Sequence, residues 1–399
     1  MRKTKVSEIE VTKYEFKPEL VTKDATELEE IKKLLPSRVP EKISFRVSNC
    51  NPAVANAIRR EVISGLKWKC LHVEIDDITT NEPYLKLHEF CKRIAYIPLD
   101  QDTPLDAVFS INVKNTNMHE NRMIVHSDAI KGKSKSPYDL TYRIAELHPG
   151  NYLQVNRVTV REGYSWKNDE PDGANSKFSP TSNIEYDVLD YKYVTVMNEK
   201  QQFYTAYVKT SDLKLGDADL GKRILIMADK SYADALDKNT LGGKKYEFSE
   251  KIVIGSFRFY QSTEVKPQDF RIGVRTLGNI DARDLIRRTI ECILEKLTRL
   301  DNLITAHLAG DASDDLVITE SADLVTSIKV LEEKHTLAHL LVTTILELDP
   351  QIEMVNWQEP HVQEQSMILK LKHPEPIKIT RDAITFLTSD FSEILRSFQ

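Results

Sequence analysis

Apolar and polar residues alternate along Ile43-Ser44-Phe45-Arg46-Val47, which predicts a strand with Ile43, Phe45 and Val47 on one face. Asn51 then offers a helix N-cap and Pro52 a first helical position, where a missing N–H is no loss. Val54, Ile58 and Val62 recur at helical spacing, with Ala55 and Leu66 flanking the same side, so a helix is expected from residue 52 to about 65. Arg59 and Arg60 lie off that stripe, and Ala53, Ala57 and Arg60 form a second face of small residues plus one charge. Leu71, Val73 and Ile75 share one face of an expected strand over 71–75, which would end in Asp76-Asp77.

The texture changes after residue 105. Short β-branched and aromatic runs at 108–113, 138–144, 152–162, 184–188 and 222–228 are broken by Gly, Asn, Asp and Pro, which predicts a mostly β insert over 105–245. A further strand is expected near 251–260, with Ile252, Ile254 and, after a shift of phase, Phe257 and Phe259 inward. Ile286, Ile290, Ile293, Leu297 and Leu300 then follow a 4, 3, 4, 3 spacing, the seam of a helix over 281–300 packed lengthwise on another helix. Residues 301–323, rich in Ala, Asp and Ser, are expected to be a linker. The last segment, 324–399, predicts a strand (324–331) and a helix (336–348) stopped by Asp349-Pro350. Two strands (352–357 and 366–372) follow, then a helix capped by Thr380 that carries Ile384, Leu387, Phe391, Ile394 or Leu395, and Phe398. The organisation expected is therefore an N-terminal extension at 1–42, with a short amphipathic stretch at Leu28, Ile31, Leu34 and Leu35. A first half over 43–104 plus 246–300, the insert at 105–245, the linker and a second, smaller half at 324–399 follow. Strand, helix, strand and helix recur in both halves, and two such units would bury their apolar helix faces against each other.

Composition narrows the function classes. Among 399 residues, 55 Lys and Arg face 61 Asp and Glu, a net charge of −6, which weighs against a chain that wraps nucleic acid by itself. With 41% hydrophobic residues the chain can build a core. Four scattered cysteines, with no CxxC pair, argue against a disulfide scaffold and a Cys-rich zinc or iron–sulfur site. No run of about 18 apolar residues and no secretory h-region occur, so an intracellular protein without membrane contact is the expectation.

Candidate chemistry is sparse. No phosphate-binding loop, dinucleotide fingerprint, nucleophile elbow or HExxH occurs. His335 and His339 have the i, i+4 spacing of a two-histidine clamp, yet no third ligand follows closely. Asp76-Asp77 and Asp311, Asp314-Asp315 could suggest Mg²⁺, with Asp76-Asp77 the alternative site for a metal-dependent enzyme, and a DNA-binding transcription factor is the other alternative class. The run at 131–135 is basic but lacks aromatic neighbours on which bases stack. No cofactor is expected.

Two ordered segments carry a resemblance. Phe45-Arg46-Val47-Ser48-Asn49 through Asn56-Ala57-Ile58-Arg59-Arg60, on to Val73-Glu74-Ile75, resembles the signature of alpha-like subunits of cellular RNA polymerase. Glu89-Phe90-Cys91-Lys92-Arg93-Ile94-Ala95-Tyr96-Ile97-Pro98-Leu99 resembles that family's next motif, and Ser176-Lys177-Phe178-Ser179-Pro180 a segment of its insert. Lys334-His335-Thr336-Leu337-Ala338-His339-Leu340-Leu341, Asp349-Pro350 and Pro360-His361 resemble the smaller partner subunit.

The resemblance implies an α+β alpha-like dimerisation fold, with the third-type and eleventh-type subunits fused as in asfarvirus-like large DNA viruses. The two halves would form an intramolecular pseudo-dimer around a mostly β insert. It further implies a non-catalytic assembly platform that nucleates binding of the second-largest subunit and then the largest. Small subunits of the tenth and twelfth types would be neighbours, with little direct nucleic-acid contact. The residues it points to for partner binding are Asn49, Asn56, Arg59, Arg60, Glu89, Arg93 and Pro98. For the pseudo-dimer interface they are Val54, Ile58, Ile290, Leu297, Leu337, Leu341, Phe391 and Leu395. A viral chain would work in the host cytoplasm and the virion, a cellular eukaryotic one in the nucleus. Relatives often hold the insert with four cysteines or an iron–sulfur cluster. This chain has no cysteine between 92 and 291 and departs from both.

Overall fold

A computed structural model describes residues 4–13, 40–116, 122–132, 142–165, 175–197, 203–210, 252–254, 267–277, 280–311, 313–360 and 364–399. The expected helix at 28–35, the strand at 222–228, Phe257, Phe259 and His361 lie outside them. The chain runs β1 (Lys5–Lys13), β2 (Glu41–Ser48), α1 (Pro52–Arg60), a π-helical turn (Glu61–Gly65), β3 (Lys67–His72), β4 (Ile78–Thr80) and α2 (Leu87–Ala95). Strands β5 (Val108–Lys114), β6 (Met123–His126), β7 (Ile130–Gly132), β8 (Arg143–Leu147) and β9 (Tyr152–Tyr164) follow. Next come β10 (Thr181–Val188), β11 (Tyr191–Met197), β12 (Phe203–Lys209), β13 (Ile252–Ile254) and β14 (Asp269–Thr276). The chain closes with α3 (Ala282–Leu308), β15 (Leu316–Glu320), β16 (Thr326–Leu331), α4 (His335–Leu348), β17 (Met354–Gln358), β18 (Ser366–Lys372) and α5 (Pro376–Arg396). This is a mixed α and β architecture. The strands pair in the orders β1-β2-β14-β10, β3-β9-β5-β7 with β4 also on β9, β6-β8, β11-β12-β13 and β15-β16-β18-β17.

By its contacts the chain divides into two compact units. The first comprises Met1–Glu8, Phe45–Ala55 and Glu185–Ile272. In it Phe45, Val47, Phe270 and Ile272 are buried, and Tyr186 stacks on Phe270 with ring centroids 5.6 Å apart. Arg46 is held between Asp269 (Nε to Oδ1, 2.7 Å) and Glu8 (2.8 Å), and Arg271 also reaches Glu8 at 3.0 Å. Strands β11 and β12 pair antiparallel over their full lengths, Tyr191 opposite Lys209 and Met197 opposite Phe203.

The second unit comprises Ile9–Ser44, Asn56–Ile184 and Gly273–Gln399. One core joins Leu71, Val73, Phe90, Ile94, Ile97 and Leu99 to Phe109, Ile111, Leu153, Val155 and Val158. Strand β3 pairs with β9, Leu71 opposite Val160, so residues 67–104 pack with the β region and the boundary expected at 104/105 does not exist. The single-strand pattern marked Leu71 but not its partner 89 positions away. Gly163 stands opposite Trp68, and a Cβ there would lie 2.8 Å from the Phe178 ring. That glycine lets Phe178, from the motif at 176–180, tuck against the ribbon with Lys177 Nζ 5.2 Å from the ring centroid.

The C-terminal part of this unit is a four-stranded antiparallel sheet with α4 on β17 and β18, while α5 packs along both α4 and α3. Strand β16 alternates buried Thr326, Ile328 and Val330 with half-buried neighbours, as a sheet with one covered face requires.

Four sequence expectations need correction. Helix α3 does not stop at residue 300 but runs to Leu308, because Ile304 extends the buried seam by one more turn while the exposed Asn302 lies off it. With β15 starting at Leu316, the linker shrinks from 301–323 to 309–315. Strand β3 covers Lys67–His72 rather than 71–75, and Asp76 and Asp77 sit in a 3-10 turn, Ile75–Asp77, not at a strand end. Thr380 is not the cap of α5. Pro376 occupies its first turn, and the Thr380 hydroxyl donates to the Pro376 carbonyl at 2.8 Å inside the helix.

Candidate interaction site

The first feature is the end of α1. Asn51 accepts the Val54 N–H through Oδ1 at 3.0 Å, the N-cap the sequence predicted. Asn49, just before it, is exposed at φ 58°, a left-handed position that asparagine tolerates. Val54 and Ile58 are buried, at 1% and 0% exposure. At the helix's last turn Asn56 Oδ1 accepts from Arg59 Nε at 3.0 Å, which aims that guanidinium along the helix surface. Arg60 is half-buried, and its pKa is pushed down by burial and then by the neighbouring Arg59.

Directly after Arg60 the chain makes its π-helical turn, and this turn creates a buried charge cluster that the sequence reading did not detect. Glu61, 3% exposed, accepts from Lys296 Nζ at 2.9 Å. Lys296 also lies 3.8 Å from Glu333, itself 5% exposed, which sits 3.9 Å from Arg299. Arg299 continues to Asp315 at 3.0 Å and to the Leu331 carbonyl at 3.1 Å. The cluster thus ties the segment after α1, the middle of α3 and the loop before α4. Gly65 is required by it: a Cβ there would stand 1.6 Å from Glu61 Oε2. Burial raises Lys296's own desolvation cost, but Glu61 and Glu333 outweigh it and hold the ammonium charged. Burial pushes the Glu333 carboxyl up to about 7 and the Cys292 thiol, 3.5 Å from the Gly65 carbonyl, up to about 12. Cys292 is therefore an inert thiol.

A third feature sits beside α2. Glu89 and Arg93, both exposed, line a cleft of ≈ 280 Å³ with Lys86, Tyr84, Arg122 and Arg143. Its floor is set by Glu82, which accepts from the His148 N–H (2.7 Å), His148 Nδ1 (2.9 Å) and Asn151 Nδ2 (3.0 Å). Burial works to raise the Glu82 pKa, but the Asn151, His148 and Tyr84 donors win and hold the carboxyl at about 2. Around the cleft Lys86 pairs with Glu89, and Arg122 and Arg143 pair with Glu146. Pro98 is buried.

The helix positions singled out for an interface are buried: Ile58, Ile290, Leu297 and Leu341 fully, Leu337 at 2% and Phe391 at 0%. Leu395 is the exception. It is only half-buried, and Ile394, at 0%, is the residue of that pair in the core, because 394 continues the 3, 4, 3, 4 spacing of the buried Ile384, Leu387, Phe391 and Phe398. His335 and His339 both pack edgewise on Trp357, with centroids 4.8 and 5.1 Å away, and Glu359 lies 3.4 Å from His335 and 3.2 Å from Lys334. Burial and the charge of Arg60 lower the pKa of His335; for His339 burial leads, with His335 and Arg60 adding to it. Among the described residues no group of three or more His, Cys, Asp or Glu is placed to hold a metal ion, Asp76 and Asp77 included. No described helix is long and apolar enough to cross a membrane.

Residues 326–397 match the family described as the RNA polymerase Rpb3/Rpb11 dimerisation domain. The match runs from the first residue of β16 through α4, β17, β18 and α5. A comparison with curated proteins finds no match for the chain.

Proposed function

We propose that this chain is a non-catalytic platform subunit of a multisubunit DNA-directed RNA polymerase, with both alpha-like halves in one polypeptide. The observation that carries the reading is the match of 326–397 to a polymerase dimerisation domain, combined with what its last helix packs on. A dimerisation domain needs a partner helix, and α5 lies along α3 of the same chain. The Glu61–Lys296–Glu333 cluster supports the same view, since it joins a segment near α1 to the start of the matched domain. On this reading α1 and α3 belong to the first half, and α4 and α5 to the second. Arg59 and Arg60, with Asn49 and Asn56 nearby in sequence, face the second-largest subunit. Glu89, Arg93 and Pro98 shape the segment that meets the same partner or a small zinc-binding subunit. The largest subunit joins later and supplies the catalytic metal. Fusion of this kind fits a large DNA virus that transcribes in the host cytoplasm.

Co-expression with the second-largest subunit from the same genome tests the proposal. Co-purification as a one-to-one complex supports it. Failure to form any complex, or nucleotidyl transfer by the isolated chain, contradicts it.

A further inference from the structure

The cleft beside α2 gathers more cations than its own carboxylates neutralise. Arg93 comes from α2, Arg122 stands one residue before β6, and Arg143 opens β8. Strand β6 pairs with β8, Ile124 opposite Glu146, and α2 packs on β8. Three separate elements thus bring guanidiniums to one cleft of ≈ 280 Å³. Arg122 and Arg143 share a single carboxylate: Glu146 accepts from Arg122 Nη1 on Oε2 at 3.5 Å and from Arg143 Nη2 on Oε1. Among the described residues Arg93 makes no ion pair. Lys86, at the rim, is paired with Glu89 at 3.2 Å. The floor does not cancel the excess. Glu82 is ionised, but its oxygens are taken by the N–H groups of Tyr84 and His148, by His148 Nδ1 and by Asn151 Nδ2.

We propose that Arg93, Arg122 and Arg143 form a binding site for a phosphate group, carried either by the free ion or by a small phosphate monoester. The planar guanidinium fork matches carboxylate and phosphate oxygens alike. A carboxylate offers two oxygens in one plane, and Glu146 already gives both of its own to Arg122 and Arg143. A tetrahedral phosphate has oxygens in further directions, so it can meet forks arriving from α2, from the start of β6 and from β8 at once. The cleft lies at the small end of the range of about 300–1,000 Å³ typical of ligand pockets, which suits a phosphate group and not a whole nucleotide. Glu146 competes with the ligand for two of the three arginines. Such exposed pairs contribute little on their own, so the ligand can take their place at small cost. The inference goes beyond the platform function and does not rest on it.

The test is calorimetric titration of the full-length chain at low salt with inorganic phosphate, with O-phosphoserine and, as the planar anion, with acetate. At least one phosphate should bind one-to-one with a dissociation constant of about 1 mM or tighter, and acetate about tenfold more weakly. Tighter binding of inorganic phosphate assigns the site to the free ion, and tighter binding of O-phosphoserine to a monoester. Arg93→Ala and Arg143→Ala should each weaken the interaction by about tenfold. Glu146→Gln, which removes the internal competitor, should tighten it by a few-fold, and Arg396→Ala, on α5, should leave it unchanged. Arg93 and Arg143 are exposed, and thermal melts check that each variant is folded. If Arg143→Ala melts early, Arg93→Ala and Glu146→Gln carry the test. The proposal is overturned if neither phosphate binds saturably, if acetate binds as well, or if the arginine variants bind as Arg396→Ala does. No partner subunit enters the measurement, so that result would leave the platform function standing.

Discussion

At the scale of single residues, the cluster of Glu61, Lys296 and Glu333 makes the strongest claims. Lys296 holds the Glu61 carboxylate, 3% exposed, at 2.9 Å and lies 3.8 Å from Glu333, 5% exposed. Lys296→Met strands Glu61, and removing one partner of a buried pair costs about 3 kcal/mol or more. Gly65→Ala should act through the same pair. Its new methyl group overlaps the Glu61 carboxylate, which can swing aside only by leaving Lys296. Equilibrium denaturation of the two variants should therefore give losses of similar size, and a silent Gly65→Ala would sink this account of the turn. Glu333 adds a pH dependence. Burial raises its folded pKa to about 7, above the ordinary carboxyl value of 4.5. Between those values the folded state binds more protons than the unfolded one, so stability falls as pH rises through that window. Glu333→Gln should melt near the parent at pH 5 and above it at pH 8. A gap that is constant with pH would contradict the assignment.

The sequence showed Arg59 and Arg60 because two charges at the end of an otherwise apolar helix break its pattern. It hid Glu61, since one more charge beside two arginines reads as helix surface, and its partner lies 235 positions away. Glu82 was hidden for the same reason: its donors come from residues 148 and 151, brought close by the pairing of β4 with β9.

At the scale of elements, periodicity was legible where one face alone is buried. Strand β18 was placed at its observed ends, and the seam of α3 emerged from Ile286, Ile290, Ile293, Leu297 and Leu300. It was read too short because Asp301 and Asn302 look like the start of a linker, whereas they only continue the polar face past Ile304. Strands β11, β12 and β14 were not foreseen. In β14 the alternation was there to read, since Phe270, Ile272 and Val274 are buried between Arg271 and Arg275, while β11 and β12 are fixed by their pairing with each other. Two expectations follow for α3. Leu297→Ala, fully buried in the seam, should cost about 2–5 kcal/mol in chemical denaturation. A protease site at Gly310, exposed with φ +90° and open space around it, should be cut without the fragments parting on size exclusion at micromolar concentration. Separation would show that α3 and α5 do not hold the two segments together.

At the scale of the whole molecule, the proposed function makes the meeting of two dimerisation units an intramolecular step. On that reading the segment 309–315, between α3 and β15, would act as a tether that raises the effective concentration of one unit near the other and fixes their ratio at one to one. It would also remove the translational cost of bringing free chains together. On the proposed function this is what the single chain gains: a platform complete on synthesis, ready to bind the second-largest subunit. A chain carrying only one unit would instead find a second copy of itself. Native mass spectrometry of the purified chain at low micromolar concentration separates these cases most directly. The account predicts a single species at 45.8 kDa, the mass of one chain with its dimerisation surface already occupied from within. A homodimer of twice that mass, persisting on dilution, would contradict it.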